Sequence, residues 1–194
     1  MHPVLRVATA LLLLLAFAGA QAAQVVPRYT LQDGQGNAIT ERSYRGEYVL
    51  MFFGYTHCPD VCPTTLLEVG NALRLLGEDA ARVQAVFVSL DPQRDTPERL
   101  RAYLAHFHPR IVGLSGTPGQ LRAAAEAFHV SYGYTVDGRD LAQAPEGRED
   151  YLVYHGSQLY LLGPDGALLD VFGFGSGAGT IVEGVRGAMV GGVR

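Results

Sequence analysis

Residues 48–63 read YVLMFFGYTHCPDVCP. Tyr48–Gly54 is an unbroken apolar run, the mark of a strand buried on both faces. The chain passes through Tyr55–Pro63 into Thr64–Leu76, where Leu66, Leu67, Leu73 and Leu76 suit a helix. Both cysteines of the chain, Cys58 and Cys62, therefore lie at a strand-to-helix junction. Downstream, Val83–Leu90 predicts a second buried strand. Asp95 with Glu98 three residues on is a capping-box pattern, opening an amphipathic helix to Phe107. Ile111–Leu114 predicts a short third strand. Thr117-Pro118-Gly119-Gln120 places a cap, a proline at the first helical position and Gln at the third, for a helix to about His129.

Upstream, Arg28–Ala38 carries a D-G-x-G turn and predicts a small hairpin. Thr135–Asp150 is polar and turn-rich and predicts a surface loop. Ser157–Leu162 and Ala167–Phe172 flank Gly163-Pro164-Asp165-Gly166, a strong hairpin turn, and a last helix is expected over Thr180–Val190. Strands alternating with helices predict a mostly parallel central sheet. With a closing hairpin and helix, the expected class is α/β, a thioredoxin-like three-layer sandwich with an N-terminal hairpin. Gly173-Phe174-Gly175-Ser176-Gly177-Ala178 imitates a dinucleotide fingerprint. Too little chain follows for the acid expected about 20 residues on, so the glycines are read as a crossover.

The 194 residues are 48% hydrophobic and 18% charged, as expected of one globular domain. Every basic residue is Arg, and the net charge is −4. With no basic tract, nucleic acid is not expected as a partner. Met1–Arg6 followed by the uncharged Val7–Ala20, with five leucines at 11–15, has the form of an export signal. Ala18-Gly19-Ala20 and Ala20-Gln21-Ala22 offer small-x-small cleavage sites. The apolar run is 14 residues, short of the roughly 20 that span a bilayer. Residues 1–22 are thus expected to be a cleaved signal, with retention as a membrane anchor the alternative, and 23–194 the domain. With no cysteine near residue 20, a lipid-attached form is not expected. The domain is expected in the periplasm, where a disulfide can persist.

A helix N-terminus offers free N–H groups and a positive dipole end, which favour a thiolate. At i and i+4 on one helix face, Cys58 and Cys62 can close on each other or on one metal ion. Two thiolates leave a metal site incomplete. Soft thiolates select copper(I), and imidazole is a common further ligand. His57 adjoins Cys58 in poor geometry for the same ion, while His106, His108 and His129 suit solvated helix C-termini. His155, just before the final hairpin, falls on the segment that faces the cysteines in this fold; the residues alone leave its role open.

The chain resembles the SCO/SenC family of copper-binding, thioredoxin-like assembly factors for cytochrome c oxidase. The matching blocks are GYTHCPDVCPTTL (54–66), SLDPQRDTPERLRAYL (89–104), VGLSGTP (112–118) and DYLVYHGSQLYLLGPDG (150–166). The resemblance implies one copper ion, Cu(I) or Cu(II), held by Cys58, Cys62 and His155. It implies delivery of copper to the copper A centre of cytochrome c oxidase subunit II, reduction of that centre's cysteines, or both. Other periplasmic copper chaperones or thiol reductases are further implied partners. One departure is Tyr154, where many members carry an acidic residue before the histidine.

Three functions compete. The first is a metallochaperone. The second is a thiol–disulfide oxidoreductase in which Cys58 and Cys62 form a reversible disulfide. The third is a thiol peroxidase or a redox or copper sensor. Dedicated oxidoreductases on this fold use Cys-x-x-Cys and a cis-proline facing it. Here the spacing is one longer and no proline occurs from Tyr151 to Leu162, which favours copper handling. Asp95 is accounted for as a helix cap. Asp91 is a candidate for shaping the active face, Asp60 for tuning its charge, and Tyr55 for core packing.

Overall fold

The computed structural model describes residues 24–191. The expected export segment lies outside the described residues. The first described elements are a two-stranded hairpin, β1 (Thr30–Gln32) and β2 (Ala38–Thr40), whose turn is nucleated by Asp33 and which a bridge from Gln32 to Ser115 joins to the rest of the fold. The Asp33 carboxylate accepts the N–H groups of Gln35 and Asn37, both at 2.9 Å.

β3 (Tyr48–Gly54) is buried at every position. It leads into α1 (Val61–Leu76), a short 3-10 stretch and β4 (Val83–Ser89). Then come α2 (Pro97–Ala105), β5 (Ile111–Leu114) and α3 (Pro118–Ala127). β6 (Tyr132–Val136), β7 (Arg139–Leu141) and β8 (Leu152–His155) follow. The chain closes with β9 (Leu159–Leu162), β10 (Leu168–Phe172) and α4 (Gly177–Gly191). Among the described residues no helix is long and apolar enough to cross a membrane.

The central sheet runs β10-β9-β3-β4-β5. β3 pairs in parallel with β4, and β4 with β5, but β9 lies antiparallel to both β3 and β10. The sheet is therefore evenly mixed and not mostly parallel. β9 docks antiparallel beside β3, and the hairpin around Gly166 (φ +86°) returns the chain as β10 on the outer edge of β9. The arrangement is thioredoxin-like, as expected.

Alternate residues of β3 serve opposite faces. Phe52 packs on Phe87, which packs on Tyr103 of α2, while Phe53 packs on Phe128, just after α3. α1 and α4 pack together on the first of these faces. Three layers result, with Phe52, Phe53 and Phe87 all fully buried.

Three expectations are corrected. Thr96, not Asp95, caps α2; its side chain accepts the Arg99 N–H. A proline at 97 fixes the first helical residue, which leaves Thr96 as the flanking position. The α3 capping box, by contrast, forms as read, with Thr117 and Gln120 bonded reciprocally. The expected loop 135–150 contains a hairpin, β6–β7, turned at Asp137-Gly138, both with positive φ. The segment around Tyr154, which lies between the expected loop and the final hairpin and for which the sequence predicts no strand, is strand β8, which pairs with β6 to make a separate sheet β7-β6-β8.

Candidate metal centre

Cys58 and Cys62 do not share a helix face. Cys58 sits in the turn between β3 and α1, and Cys62 is in the first turn of the helix. Asp60 occupies the flanking position, yet its side chain caps nothing. The Cys62 N–H, one of the free donors of the helix end, points at Cys58 Sγ at 3.4 Å. The sulfur is the cap. Cys58 is half-buried and Cys62 fully buried; both are free thiols.

Gly54 makes room for this. A Cβ there would lie 2.6 Å from Cys62 Sγ and 2.9 Å from the Phe87 ring. Gly54→Ala is expected to push Cys62 out of place and to cost about 1–3 kcal/mol, as overpacking does. Urea denaturation measures the loss; an unchanged midpoint would show that the pocket has slack.

β8 brings His155 to the cysteines from 93 residues away, with Nε2 3.4 Å from Cys62 Sγ. The ring is held edge-on by Phe52 and Tyr55, at 6.1 and 6.0 Å between centroids. His155 Nδ1 lies 2.8 Å from the carbonyl oxygen of Gly156. That oxygen can only accept, so Nδ1 carries the proton and Nε2 presents its lone pair to the sulfurs. This is how a ligating histidine is oriented by its outer partner. One donor atom each from Cys58, Cys62 and His155 lies within 4.8 Å of the other two.

The two thiols are driven apart in acidity. The Cys62 thiol donating to it, and the N–H groups of Asp60 and Cys62, hold Cys58 well below the ordinary thiol range. Donation of that S–H···S hydrogen bond, burial and the Cys58 charge push Cys62 up. In the metal-free reduced chain, iodoacetamide is expected to modify Cys58 and spare Cys62. A depressed pKa means the thiolate is already formed at neutrality, so the Cys58 rate stays flat from about pH 6 to 8. An ordinary thiol, with pKa about 8.5, would gain roughly tenfold per unit. Peptide mass mapping separates the sites, and such a climb at Cys58 would refute the assignment.

The remaining histidines lie elsewhere. His57 is exposed, with Nε2 2.9 Å from Arg99 Nη1 and Nδ1 3.2 Å from Thr56 Oγ1. It groups with Asp91 and Asp95, not with the cysteines. His106 ends α2, His129 is exposed after α3, and His108 Nδ1 accepts the Arg110 N–H. Tyr55 is buried beside the motif, as expected. Tyr154 alternates away from His155 and lies across Gly133 of β6, where a Cβ would strike its ring. Asp60 is exposed.

Arg94, in the turn after β4, is the residue that sequence reasoning misses, together with the tie from Asp95 to Thr56. Asp91, Arg94 and Asp95 are all buried. The signal was present as two acids and an arginine within five residues, DPQRD, directly after an apolar strand. A capping pattern hid it.

The SCO1/SenC family model matches residues 18–190. The chain belongs to the SCO1/SenC family. Human "Protein SCO2 homolog, mitochondrial" is 37% identical over 160 residues, which are 81% of this chain and 57% of that protein. The mouse protein of the same name is 37% identical over 160 residues, 60% of its length. This SCO1/SenC chain thus spans less than two thirds of these curated relatives. Copper-bound ScoI of Arabidopsis thaliana superposes with a TM-score of 0.74 at 30% identity, covering 86% of this chain and 99% of that one. Copper-bound ScoI of Bradyrhizobium japonicum gives 0.71 at 35%, covering 84% and 99%.

Proposed function

We propose that this SCO1/SenC domain carries one copper ion between Cys58, Cys62 and His155 and hands it to the copper A centre of cytochrome c oxidase subunit II. The observation that carries this is the convergence of two sulfurs and one oriented imidazole nitrogen within 4.8 Å. Two soft thiolates and an imidazole form a donor set suited to copper, above all Cu(I). Its relatives from Arabidopsis thaliana and Bradyrhizobium japonicum, similar over most of the domain, are described with copper bound. Cys58 and His155 are both partly exposed, so copper enters and leaves along their edge, while buried Cys62 forms the back of the site. A three-donor site leaves an acceptor's ligand room to join before a donor leaves. That is the requirement for transfer by ligand exchange.

Residues 1–22 are assigned as the export signal, which puts the domain in the periplasm, where oxidase subunit II exposes its copper site. A second role is favoured by the unequal thiols. Half-exposed Cys58 attacks a disulfide of the acceptor, forming a mixed disulfide and releasing one acceptor thiolate. Cys62 then displaces the second acceptor sulfur, leaving the acceptor as a dithiol and Cys58–Cys62 as the disulfide.

Anaerobic Cu(I) titration of the reduced chain tests the reading. One tightly held copper per chain is expected, lost in Cys58→Ser and in Cys62→Ser. Stoichiometry unchanged in either variant would sink the proposal.

A further inference from the structure

The turn that follows β4 ties together the two halves of the metal centre. Asp95 faces inward, and its carboxylate takes three donors. Thr56 gives its N–H at 3.0 Å and its hydroxyl at 2.5 Å, and Ser89 gives its hydroxyl at 2.6 Å. Thr56 lies two residues before Cys58, so Asp95 holds the turn that presents that sulfur.

Asp91, Gln93 and Arg94 bond toward the segment that leads into β8, and the Arg94 guanidinium also lies 5.7 Å from the centre of the Tyr55 ring. Arg94 Nε meets Asp91 Oδ2 at 2.5 Å. Its Nη1 donates to the carbonyls of Glu149 and Tyr151, at 2.7 and 3.0 Å. The guanidinium lies 3.6 Å from the centre of the Tyr151 ring, and the Tyr151 hydroxyl donates to Asp91 at 2.6 Å. Gln93 donates to the carbonyls of Pro145 and Arg148. Tyr151 stands four residues before His155.

Burying these charges has a cost. A buried ion pair such as Asp91–Arg94 contributes little net stability against an apolar replacement, because both ions lose their hydration. Holding a geometry is the better-supported use of such a pair. Here five consecutive residues grip the cysteine turn with one carboxylate and the histidine strand with the others.

We propose that the turn 91–95 is a positioning device that sets the separation of the imidazole from the sulfurs. Asp95 acts through Cys58, and the Asp91–Arg94 pair acts through His155. This rests on the copper reading for its affinity arm alone.

The test uses the full reduced chain, with Cu(I) as probe and the ring resonances of His155 as a metal-free readout. Asp91→Asn with Arg94→Gln removes both charges together and leaves neither stranded. It is expected to shift the His155 resonances and weaken copper binding about 10–100-fold, the range for loss of a ligand's outer partner. In a His155→Ala background the same pair is expected to weaken copper no further. Asp95→Asn is expected to weaken copper in both backgrounds, because it acts on the cysteines; such cycles separate the two routes. Should the double variant fail to fold, Tyr151→Phe removes one hydroxyl and is expected to move the same resonances less. A folded Asp91→Asn, Arg94→Gln chain with wild-type affinity and unmoved His155 resonances overturns the proposal, as do unmoved resonances in Tyr151→Phe. A wild-type chain that takes no copper refutes the copper reading, and the metal-free resonances then decide this inference by themselves.

Discussion

His155→Ala lowers copper affinity by at least about 100-fold and leaves the reversible Cys58–Cys62 disulfide in place. The magnitude starts from the cost of losing only an outer partner of a ligand, about 10–100-fold. Losing the ligand itself costs no less. Only two sulfurs then remain, since among the described residues no further His, Cys, Asp or Glu joins the cluster. The disulfide is spared because it needs only the sulfurs, and the Cys62 N–H still points at Cys58. The measurements are competitive Cu(I) titration against a chelator of known affinity, and the Cys58–Cys62 equilibrium with glutathione. Affinity within threefold of wild type would remove His155 from the site. Equal loss of both activities would mean that His155 serves the thiols and not the metal. The split also separates the two proposed roles, since a cell relying on thiol reduction alone would tolerate His155→Ala.

Phe53→Ala is expected to cost about 3–5 kcal/mol, the usual range for an aromatic ring deleted from a core. The ring is fully buried and packs on Phe128 and Tyr160, at 5.3 and 6.1 Å between centroids. Phe128 in turn packs on Tyr29 and Tyr160. The deletion therefore opens a cavity where the start of the chain, the segment after α3 and strand β9 meet. A domain has only about 5–15 kcal/mol in total, so the loss removes about a fifth or more. At roughly 2–4 °C per kcal/mol for this size, the melting temperature falls by about 6–20 °C. Calorimetry of the reduced metal-free chain measures it. A fall below about 3 °C would show that the aromatic cluster collapses around the gap. Phe53 faces away from the cysteines, so folded Phe53→Ala is expected to keep its copper affinity.

The sequence by itself determined the elements whose cause is local. A seven-residue apolar run rich in aromatic and branched side chains is too short for a buried helix and reads as a buried strand, and β3 matches Tyr48–Gly54 residue for residue. Ile111–Leu114 and the GPDG hairpin are legible for the same reason, as is the Thr117 capping box. The candidate ligands were also legible: Cys58 and Cys62 from their place at a strand-to-helix junction, His155 from the family resemblance. Tertiary structure decided what depends on pairing between distant segments. β8 is only the four residues LVYH, with no polar–apolar alternation to signal a strand until β6 lies beside it. The direction of β9 follows from which side of β3 the hairpin docks on, and that is a matter of packing, not of period. Asp95 satisfies a capping pattern in sequence, yet a carboxylate goes where the most donors are, and Thr56 and Ser89 offer three against the single N–H of a cap. The closeness of His155 Nε2 to Cys62 Sγ, across 93 residues, is a fact of the folded chain alone.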